Sequence, residues 1–323
     1  MDVQMALLIR EQHVHALLTM PETIAVLEDA FLASAQGLVM NQSRSRLPYP
    51  HGVLNYLSAA TPEYGVSGYK TYVASRTGAR SMVTLFSVVD GRLLALLEAD
   101  WLGAMRTGAA SALATRFLAR PESHTVGIIG TGRQAVTQLM GLCAVREVRQ
   151  VFVYSRDPAA REYFCQAMAR RLNVAVFAVD TAQQAAEYAD ILVTATTSRD
   201  PVVYGKWLSP GCHLNVIGSN WAQRRELDSQ AVQRCNLIVT DSLAQAQLEA
   251  GDLIIPANEG SLDWQSVSEL SAIVEGQAPR RTHPNDITLF KGVGIALEDI
   301  ATAAHIYTLA SKQGLGDEID LLS

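Results

Sequence analysis

The chain has 323 residues, 49% of them hydrophobic, and a formal net charge of −6 at pH 7. This length allows a large buried core and predicts two domains. The acidic balance, without a long run of Lys or Arg, argues against nucleic-acid binding, because phosphate backbones attract clustered positive charge. No apolar stretch reaches the length of a membrane span, and the first residues lack a basic-then-apolar signal pattern. We therefore expect a cytoplasmic protein that binds neither nucleic acid nor membrane.

The four cysteines give no sign of a metal site or a disulfide framework. They form no C-x-x-C pair, and no histidine lies near them at the spacing of a metal ligand. We expect reduced thiols in the protein interior and no bound metal. These cysteines are Cys143, Cys165, Cys212 and Cys235.

Residues 1–118 predict a helix followed by a mainly antiparallel sheet. The helix begins after "TMPE", a capping-box pattern with an early proline. Four apolar or alternating segments, separated by Gly, Pro, Asp or Ser, then predict strands. These segments are "GVLNYLSAA", "SGYKTYVAS", "SMVTLFSVV" and "RLLALLEA". A second helix with one apolar face follows, and we expect Asp100 to cap it.

Residues 119–302 show strand-like runs of Val and Ile that alternate with helical stretches. This alternation is typical of a parallel sheet with helices on both faces. The predicted strands are "TVGIIG", "QVFVYS", "NVAVFAV", "DILVTAT", "HLNVIGS", "NLIVTD" and "TLF". Residues 303–323 predict a further helix and a tail that return to the first domain. The predicted fold class is α/β, with a Rossmann-type parallel-sheet domain and an α+β domain whose sheet is mainly antiparallel.

The segment "GTGRQA" has the spacing of the dinucleotide motif G-x-G-x-x-G/A, in the strand–turn–helix context that the motif requires. Gly130 allows the tight turn, and Gly132 lets a diphosphate approach the backbone at a helix N-terminus. Ala135 permits close packing of helix and sheet. Arg133 and Gln134 lie within the motif, so we include them among the expected cofactor contacts. A glycine turn without a ligand is the alternative interpretation.

The second strand of this domain ends in "VYSRDP", about twenty residues on, where an acidic residue would bind a ribose 2′-hydroxyl. Ser155 and Arg156 stand here instead, and an arginine pairs with a 2′-phosphate that a carboxylate would repel. We therefore predict NADP(H) as the preferred cofactor and NAD(H) as the alternative. Asp157 could turn inward if the strand ends later, and Arg156 could be a solvated surface charge.

Several motifs, in order along nearly the whole chain, resemble the ornithine cyclodeaminase/mu-crystallin family. They are "GYKTY", "AMRTGAASALAT", "GTGRQA", "WLSPGCHLNVIGSNWAQRREL", "LEAGDLI" and "FKGVGIALEDIATA". The family includes ornithine and lysine cyclodeaminases, an alanine dehydrogenase, reductases of ketimines and cyclic imines, and mu-crystallin. The resemblance implies hydride transfer between a nicotinamide and an amino-acid α-carbon. It also implies a homodimer joined through a substrate-binding domain, here residues 1–118.

The resemblance assigns roles to three basic residues. Arg44 in "VMNQSR" and Arg106 in "MRT" match the carboxylate-binding arginines, and Lys70 in "GYK" matches the lysine beside the reacting centre. Two guanidinium groups can clamp a planar carboxylate and fix the α-carbon over the nicotinamide. A cationic environment would lower the pKa of Lys70, so that it exchanges a proton near neutral pH. Arg46 replaces Arg44 if the register shifts.

The resemblance implies further cofactor contacts. Thr107 lies beside Arg106 near the cofactor, and Thr196 contacts the adenosine–ribose side. Gly218 and Ser219, at the end of a strand, face the nicotinamide, and Val293 packs on its ring.

Two positions depart from the cyclodeaminases. By our alignment, Asn55 stands where they have a glutamate, and Asn220 where they have an aspartate proposed as the acid/base. Amide side chains cannot carry the protons that cyclodeamination moves. Glu226 or Asp228 could serve instead if the alignment is shifted, although both are expected at the start of a helix. The neighbouring Trp221 could be a pocket wall, a dimer contact or a solvent-facing aromatic residue.

These patterns together predict an NAD(P)H-dependent reductase of a small cyclic α-imino acid, of the pyrroline-2-carboxylate or piperideine-2-carboxylate type. The product is the L-amino acid, and Lys70 or a bound water supplies the proton. The alternatives are an ornithine cyclodeaminase or an alanine-type amino-acid dehydrogenase. A mu-crystallin-like NADP-dependent binding protein is the alternative from another class.

Overall fold

The computed structural model describes residues 5–75 and 78–321. The first part of the chain contains β1 (Ala6–Ile9), α1 (Glu11–Leu17), α2 (Met20–Ala35), β2 (Met40–Tyr49), β3 (Gly52–Thr61), β4 (Val66–Ser75), β5 (Gly78–Ser87), β6 (Leu93–Glu98) and α3 (Asp100–Leu118). The middle part contains β7 (Thr125–Ile129), α4 (Arg133–Val145), β8 (Gln150–Tyr154), α5 (Pro158–Leu172), β9 (Ala175–Ala178), α6 (Ala182–Glu187), β10 (Ile191–Thr194), β11 (His213–Val216), α7 (Ser229–Gln233), β12 (Leu237–Thr240), α8 (Leu243–Glu249), α9 (Gly251–Asn258), β13 (Val267–Glu269), α10 (Leu270–Glu275) and β14 (Thr288–Lys291). The last part contains α11 (Ala296–Gln313) and β15 (Asp317–Ile319).

The chain forms two compact units. The first unit runs up to Arg106 and resumes at Gly294, and the second unit spans Thr107–Val293. We expected the divisions after residues 118 and 302. The observed divisions fall inside α3 and just before α11. A continuous helical pattern does not reveal which half of a helix packs in which unit, so the sequence offered no sign of this difference.

The first unit is built on a mixed sheet in the order β15-β1-β6-β5-β4-β3-β2. All neighbouring strands are antiparallel except β1 and β6, which run parallel. The four predicted strands are confirmed as β3 to β6. Strands β1, β2 and β15 were not predicted. Helix α11 packs on β3, β4 and β5 and begins at Ala296, earlier than residue 303 where we expected it.

The first turn of α3 is held by a residue that lies far away in the sequence. The Glu11 carboxylate accepts hydrogen bonds from the backbone N–H of Asp100 at 2.5 Å and of Trp101 at 3.2 Å. Asp100 itself is the first helical residue, and its carboxylate accepts from the N–H and hydroxyl of Ser81. The prediction that Asp100 precedes and caps the helix was therefore wrong, because the cap comes from another element of the unit.

The second unit is a parallel sheet in the order β13-β12-β14-β11-β10-β7-β8-β9. All seven predicted strands are confirmed, and only the short β13 is additional. From β7 the chain builds the sheet first toward β9 and then back through β10, so the order reverses beside β7. In doubly wound sheets, ligands bind beyond the carboxyl ends of the strands at such a reversal. The fold class is α/β, as predicted.

Two glycines bring α3 and α4 into close contact within this unit. A Cβ on Gly108 would lie 2.3 Å from the Thr137 carbonyl oxygen, and one on Gly141 would lie 2.5 Å from the Gly108 carbonyl oxygen. Only glycine allows this approach of the two backbones. The glycine of "RTGAAS" therefore has a packing role beside the helix that carries the dinucleotide motif.

The cysteines are free thiols, as expected. Burial raises the pKa of Cys212 to about 12 and that of Cys143 to about 11, which keeps both protonated at neutral pH. Within residues 5–75 and 78–321, no cluster of His, Cys, Asp or Glu could hold a metal ion. No helix in the same ranges is long and apolar enough to cross a membrane.

Candidate active site

The dinucleotide motif forms a turn that only glycine can make. Gly130 has φ +107°, and a Cβ there would lie 2.4 Å from the Ala195 carbonyl oxygen. Gly132 is the N-cap residue of α4, and a Cβ there would meet no atom within 4 Å. One glycine is thus required by the fold, whereas the other leaves open space at a helix N-terminus. The N–H groups of a helix N-terminus, with open space in front of them, suit a bound diphosphate.

A cavity of about 340 Å³ opens beside this turn, at the carboxyl ends of β7, β8 and β10. Its lining includes five of the predicted cofactor residues, namely Gly130, Gly132, Ser155, Arg156 and Thr196. A helix N-terminus, glycines without side chains and a strand-order reversal meet here. These residues fit a dinucleotide.

Arg156 is exposed at the rim of this cavity, next to Asp157. The Asp157 carboxylate caps α5, because it accepts from the backbone N–H of Ala159 at 2.9 Å and of Ala160 at 3.2 Å. The Ser155 hydroxyl donates to the Asp157 carbonyl oxygen at 3.0 Å. The acidic side chain in this segment is therefore occupied by the helix that follows.

The other predicted cofactor residues lie outside the lining of this cavity. Arg133 and Gln134 begin α4, and the carbonyl oxygen of Thr107 accepts a hydrogen bond from Gln138. The remaining three residues follow the ends of β11 and β14. They are Gly218, Ser219 and Val293.

A second group of predicted residues meets in the first unit, in a buried ionic cluster. The Lys70 ammonium donates to Asp299 Oδ1 at 2.8 Å, and Arg106 Nε donates to the same oxygen at 2.9 Å. Arg106 Nη1 donates to Glu298 Oε2 at 2.5 Å. All four side chains are buried. We call these residues, together with Arg44, the Lys70 cluster.

Glycines make room for the cations of the Lys70 cluster. Lys70 lies on the face of β4 that packs against α11, and a Cβ on Gly103 of α3 would lie 2.9 Å from its Nζ. Gly294 has φ +77°, and a Cβ there would lie 2.6 Å from Arg106 Nη1. Gly294, just before α11, is therefore needed for both its backbone conformation and the space that it leaves.

Arg44 joins the cluster through an irregularity of β2. The register of β2 against β3 shifts between Gln42 and Ser45, and such a bulge re-aims the side chains within it. Arg44 Nη2 donates to the Gly294 carbonyl oxygen at 2.7 Å. The alternative residue, Arg46, is paired with Asn55 across the two strands.

The environment of Lys70 lowers its pKa to about 8. Burial is the main cause, and the positive charges of Arg106 and Arg44 lower the pKa further, whereas Asp299 raises it. We expected the lowering and attributed it to nearby cations, but burial contributes more. Burial would raise the pKa of Asp299, yet Arg106 and Lys70 outweigh it and hold that pKa below the usual value.

The Lys70 cluster carries one formal positive charge, because three cations face two carboxylates. A buried site with this balance suits a single anionic carboxylate. Sequence reasoning missed Glu298 and Asp299. Both stand in the quoted motif "GIALEDIATA", but their partners Arg106 and Lys70 are 192 and 229 residues away.

The structure shows the surroundings of the positions that depart from the cyclodeaminases and of the two carboxylates, Glu226 and Asp228, that could act in their place. Asn55 is buried on β3 and donates to the Val53 carbonyl oxygen at 3.1 Å. Trp221, next to Asn220, stacks with the Arg224 guanidinium at 5.4 Å. Asp228 caps α7, as its position at a helix start predicted. Glu226 instead is fully buried ahead of that helix, so the expectation for it was wrong.

A model of the ornithine cyclodeaminase/mu-crystallin family matches residues 4–314. The Delta(1)-pyrroline-2-carboxylate reductase of Bacillus cereus is 36% identical over 240 residues, which cover 74% of each chain. The structure of Thermococcus litoralis Delta(1)-pyrroline-2-carboxylate reductase in complex with NADH and L-proline has a TM-score of 0.94 and 35% identity. It covers 97% of this chain and 100% of that chain. The structure of an archaeal alanine dehydrogenase dimer with bound NAD has a TM-score of 0.94 and 28% identity, and covers 99% of this chain and 100% of that chain.

Proposed function

This chain belongs to the ornithine cyclodeaminase/mu-crystallin family, and we propose that it reduces a small cyclic α-imino acid to the L-amino acid with a nicotinamide cofactor. The substrate is of the pyrroline-2-carboxylate or piperideine-2-carboxylate type. The observation that carries the proposal is the Lys70 cluster, with one positive charge in excess and a buried lysine of lowered pKa. The names of the relatives from B. cereus and T. litoralis support this substrate class.

In this proposal the Lys70 cluster binds the carboxylate of the imino acid. Arg44 and Arg106 supply guanidinium groups, which match a planar carboxylate in a bidentate geometry. Glu298 and Asp299 hold the Arg106 guanidinium by two hydrogen bonds before any substrate arrives. A pre-oriented arginine loses less conformational entropy when the substrate binds.

Lys70 is the proposed proton donor. Reduction of a C=N bond adds a hydride to the α-carbon and a proton to the nitrogen. A bound reduced nicotinamide supplies the hydride. With a pKa of about 8, Lys70 is largely protonated at neutral pH and is a stronger acid than an ordinary lysine. It donates its proton to the imine nitrogen and regains one from water.

The structure gives less support to a cyclodeaminase. That reaction moves several protons, whereas Asn55 and Asn220 are amides, the Asp228 carboxylate caps α7 and Glu226 accepts from four donors. An alanine-type dehydrogenase is the second candidate, because the archaeal alanine dehydrogenase matches the chain over nearly its whole length. Such an enzyme needs the same carboxylate site but forms its imine from a keto acid and ammonia.

For the cofactor, we propose NADP(H) as the preferred nicotinamide. Arg156 is exposed at the cavity, and the neighbouring carboxylate of Asp157 is engaged with α5. The Arg161 guanidinium donates to the Ser155 carbonyl oxygen at 3.5 Å and pairs with the Asp180 carboxylate at 3.4 Å, so the charge in this argument is that of Arg156. NAD(H) remains the alternative, since the named structures of relatives contain NADH and NAD.

We also propose a homodimer formed through the first unit. The face of its sheet opposite α11 bears exposed apolar side chains, with Leu54 paired to Val73 across β3 and β4, and Tyr56 and Met82 beside them. Large exposed apolar patches mark interaction surfaces. The relative described as an alanine dehydrogenase dimer supports a second copy of the chain as the partner.

Oxidation of NADPH and NADH, followed by nicotinamide absorbance, tests the proposed reaction. We expect oxidation with pyrroline-2-carboxylate or piperideine-2-carboxylate in the absence of ammonia. Activity only with pyruvate plus ammonia would establish the dehydrogenase, and conversion of ornithine to proline would establish the cyclodeaminase. NADPH binding without turnover of any of these substrates would favour a mu-crystallin-like binding protein.

A further inference from the structure

Glu226, in the second unit, is a fully buried carboxylate with four donors aimed at it. Its Oε1 accepts from the backbone N–H and the hydroxyl of Thr196, both at 2.8 Å. Its Oε2 accepts from the backbone N–H of Gly218 at 2.7 Å and from the Thr194 hydroxyl at 2.9 Å. A buried carboxylate is costly unless it is fully hydrogen-bonded, and here both oxygens are.

These donors belong to the ends of two neighbouring strands. Thr194 is the last residue of β10, Thr196 lies two residues beyond it, and Gly218 lies two residues beyond β11. One carboxylate thus joins the two chain segments that leave the sheet at its carboxyl edge. Ligands of doubly wound sheets bind at this edge.

Gly218 packs directly against the same carboxylate. A Cβ at this position would lie 2.4 Å from Glu226 Oε1 and 2.4 Å from the Thr196 backbone nitrogen. The Glu226 carboxylate and the Thr196 backbone therefore already occupy the space that a side chain at position 218 would need. Glycine is required here by the contact and not by its backbone angles.

Two further buried side chains fix Glu226. Asp252 Oδ1 accepts from the backbone N–H of Glu226 at 2.6 Å and of Leu227 at 3.0 Å. Lys291 Nζ lies 3.0 Å from Asp252 Oδ2 and donates to the Ser219 carbonyl oxygen at 2.6 Å. The network therefore reaches Thr196, Gly218 and Ser219, three of the residues assigned to the cofactor.

We infer that Glu226 is a positioning residue for the dinucleotide, which it serves by holding the Thr196 and Gly218 segments in the conformation that receives the cofactor. The inference rests on the proposed nicotinamide-dependent function. Glu226 has no role in proton transfer, because all its acceptor positions are used by backbone and hydroxyl donors of the same unit.

Glu226→Gln tests the inference, because an amide nitrogen cannot accept a hydrogen bond. The donors at one strand end then lose their acceptor. We expect the Kd for NADPH, measured by the fluorescence of the bound nucleotide, to rise by about tenfold or more. The KM for the imino acid at saturating NADPH stays unchanged, and Glu226→Asp recovers part of the affinity. Asp228→Ala is the matched control, since this carboxylate also accepts from two backbone N–H groups but holds α7 and Gly205.

If E226Q binds NADPH as tightly as the wild type does, the inference is overturned. It is also overturned if D228A loses as much NADPH affinity as E226Q. If E226Q does not fold, E226D carries the test, and wild-type affinity in that variant overturns the inference. A wild-type protein that binds neither NADPH nor NADH overturns the proposed function itself, and the inference with it. If the wild type binds NADPH and only the Glu226 variants lose affinity, the inference is supported.

Discussion

At the scale of single residues, the proposed proton transfer depends on how Lys70 is surrounded. Burial and two arginines lower its pKa to about 8, whereas Asp299 opposes them. An isolated buried lysine would lose its proton at neutral pH, and an exposed lysine would hold it too tightly to donate. The pairing with Asp299 at 2.8 Å places Lys70 between these limits.

This balance predicts a pH profile. If Lys70 donates the proton, kcat/KM for the imino acid should fall as the pH rises through about 8, because the ammonium is lost. Asp299→Asn removes the neighbour that raises the pKa of Lys70. This alkaline limb of the pH profile, in which kcat/KM falls, should therefore move to lower pH with the same substrate. Lys70→Met, as the control, should lower kcat by roughly 10²–10⁴-fold and abolish the limb. An unshifted limb in D299N would show that another group titrates.

Arg156 carries the prediction on cofactor choice. Arg156→Ala should raise the KM for NADPH by roughly tenfold and leave that for NADH nearly unchanged, since only NADPH has a 2′-phosphate. The effect of R156A on the KM for NADPH should shrink at high salt, because the charge of the exposed Arg156 is then screened. Arg149→Ala is the control, as that exposed arginine pairs with Glu147 at the start of β8. Equal effects of R156A on both cofactors would contradict the assignment.

At the scale of elements, the start of α11 organises the Lys70 cluster. Gly294 combines a positive φ with a carbonyl that accepts from Arg44 and an absent side chain that makes room for Arg106. Glu298 and Asp299 then project from the first turn of the helix. One short segment thus sets the positions of two cations and both anions.

Gly294→Ala should therefore damage the proposed substrate site. We expect a loss of about 1–3 kcal/mol in unfolding free energy from the positive φ, and a higher KM for the imino acid from displacement of Arg106. Gly314→Ala is a matched control, because Gly314 ends the same helix with φ +64° and a Cβ there would meet no atom within 4 Å. Denaturant unfolding and steady-state kinetics on both variants separate the two effects. A KM that is equal in G294A and the wild type would refute the role of this glycine.

The elements that sequence reasoning predicted are those with a strong local pattern. The strands of the second unit are continuous Val and Ile runs, and β3 to β6 alternate or are apolar, so their periods are visible. By contrast β2, "MNQSRSRLPY", is polar and mostly exposed, and it forms a strand only through its pairing with β3. The short strands β1, β13 and β15 likewise depend on partners that are distant in the chain.

The same distinction holds for the candidate site. The glycine turn and the basic residues stand in local motifs and were predicted. The carboxylates that pair with them, and the cap that Glu11 provides for α3, depend on contacts between distant segments. Glu226 lies near Asn220, which stands where the cyclodeaminases have an aspartate proposed as the acid/base. Only the fold shows that the Glu226 carboxylate is enclosed by four donors.

At the scale of the whole molecule, the apolar sheet face of the first unit predicts self-association. Tyr56→Glu together with Val73→Glu places charge on this face and should convert a dimer into monomers. Light scattering after gel filtration measures the mass directly. Val89→Glu is the control, because Val89 is 89% exposed in the turn after β5, away from that face. A monomeric wild type would contradict the proposed homodimer.

The central claim is that the protein delivers a hydride to the α-carbon of a cyclic imino acid. It is tested most directly by incubating the protein with pyrroline-2-carboxylate and NADPH deuterated at C4 of the nicotinamide, and analysing the amino acid formed by mass spectrometry. For the NADPH stereoisomer whose deuterium is transferred, the account predicts L-proline with one deuterium at Cα. Absence of proline, or unlabelled proline with both C4 stereoisomers, would contradict it.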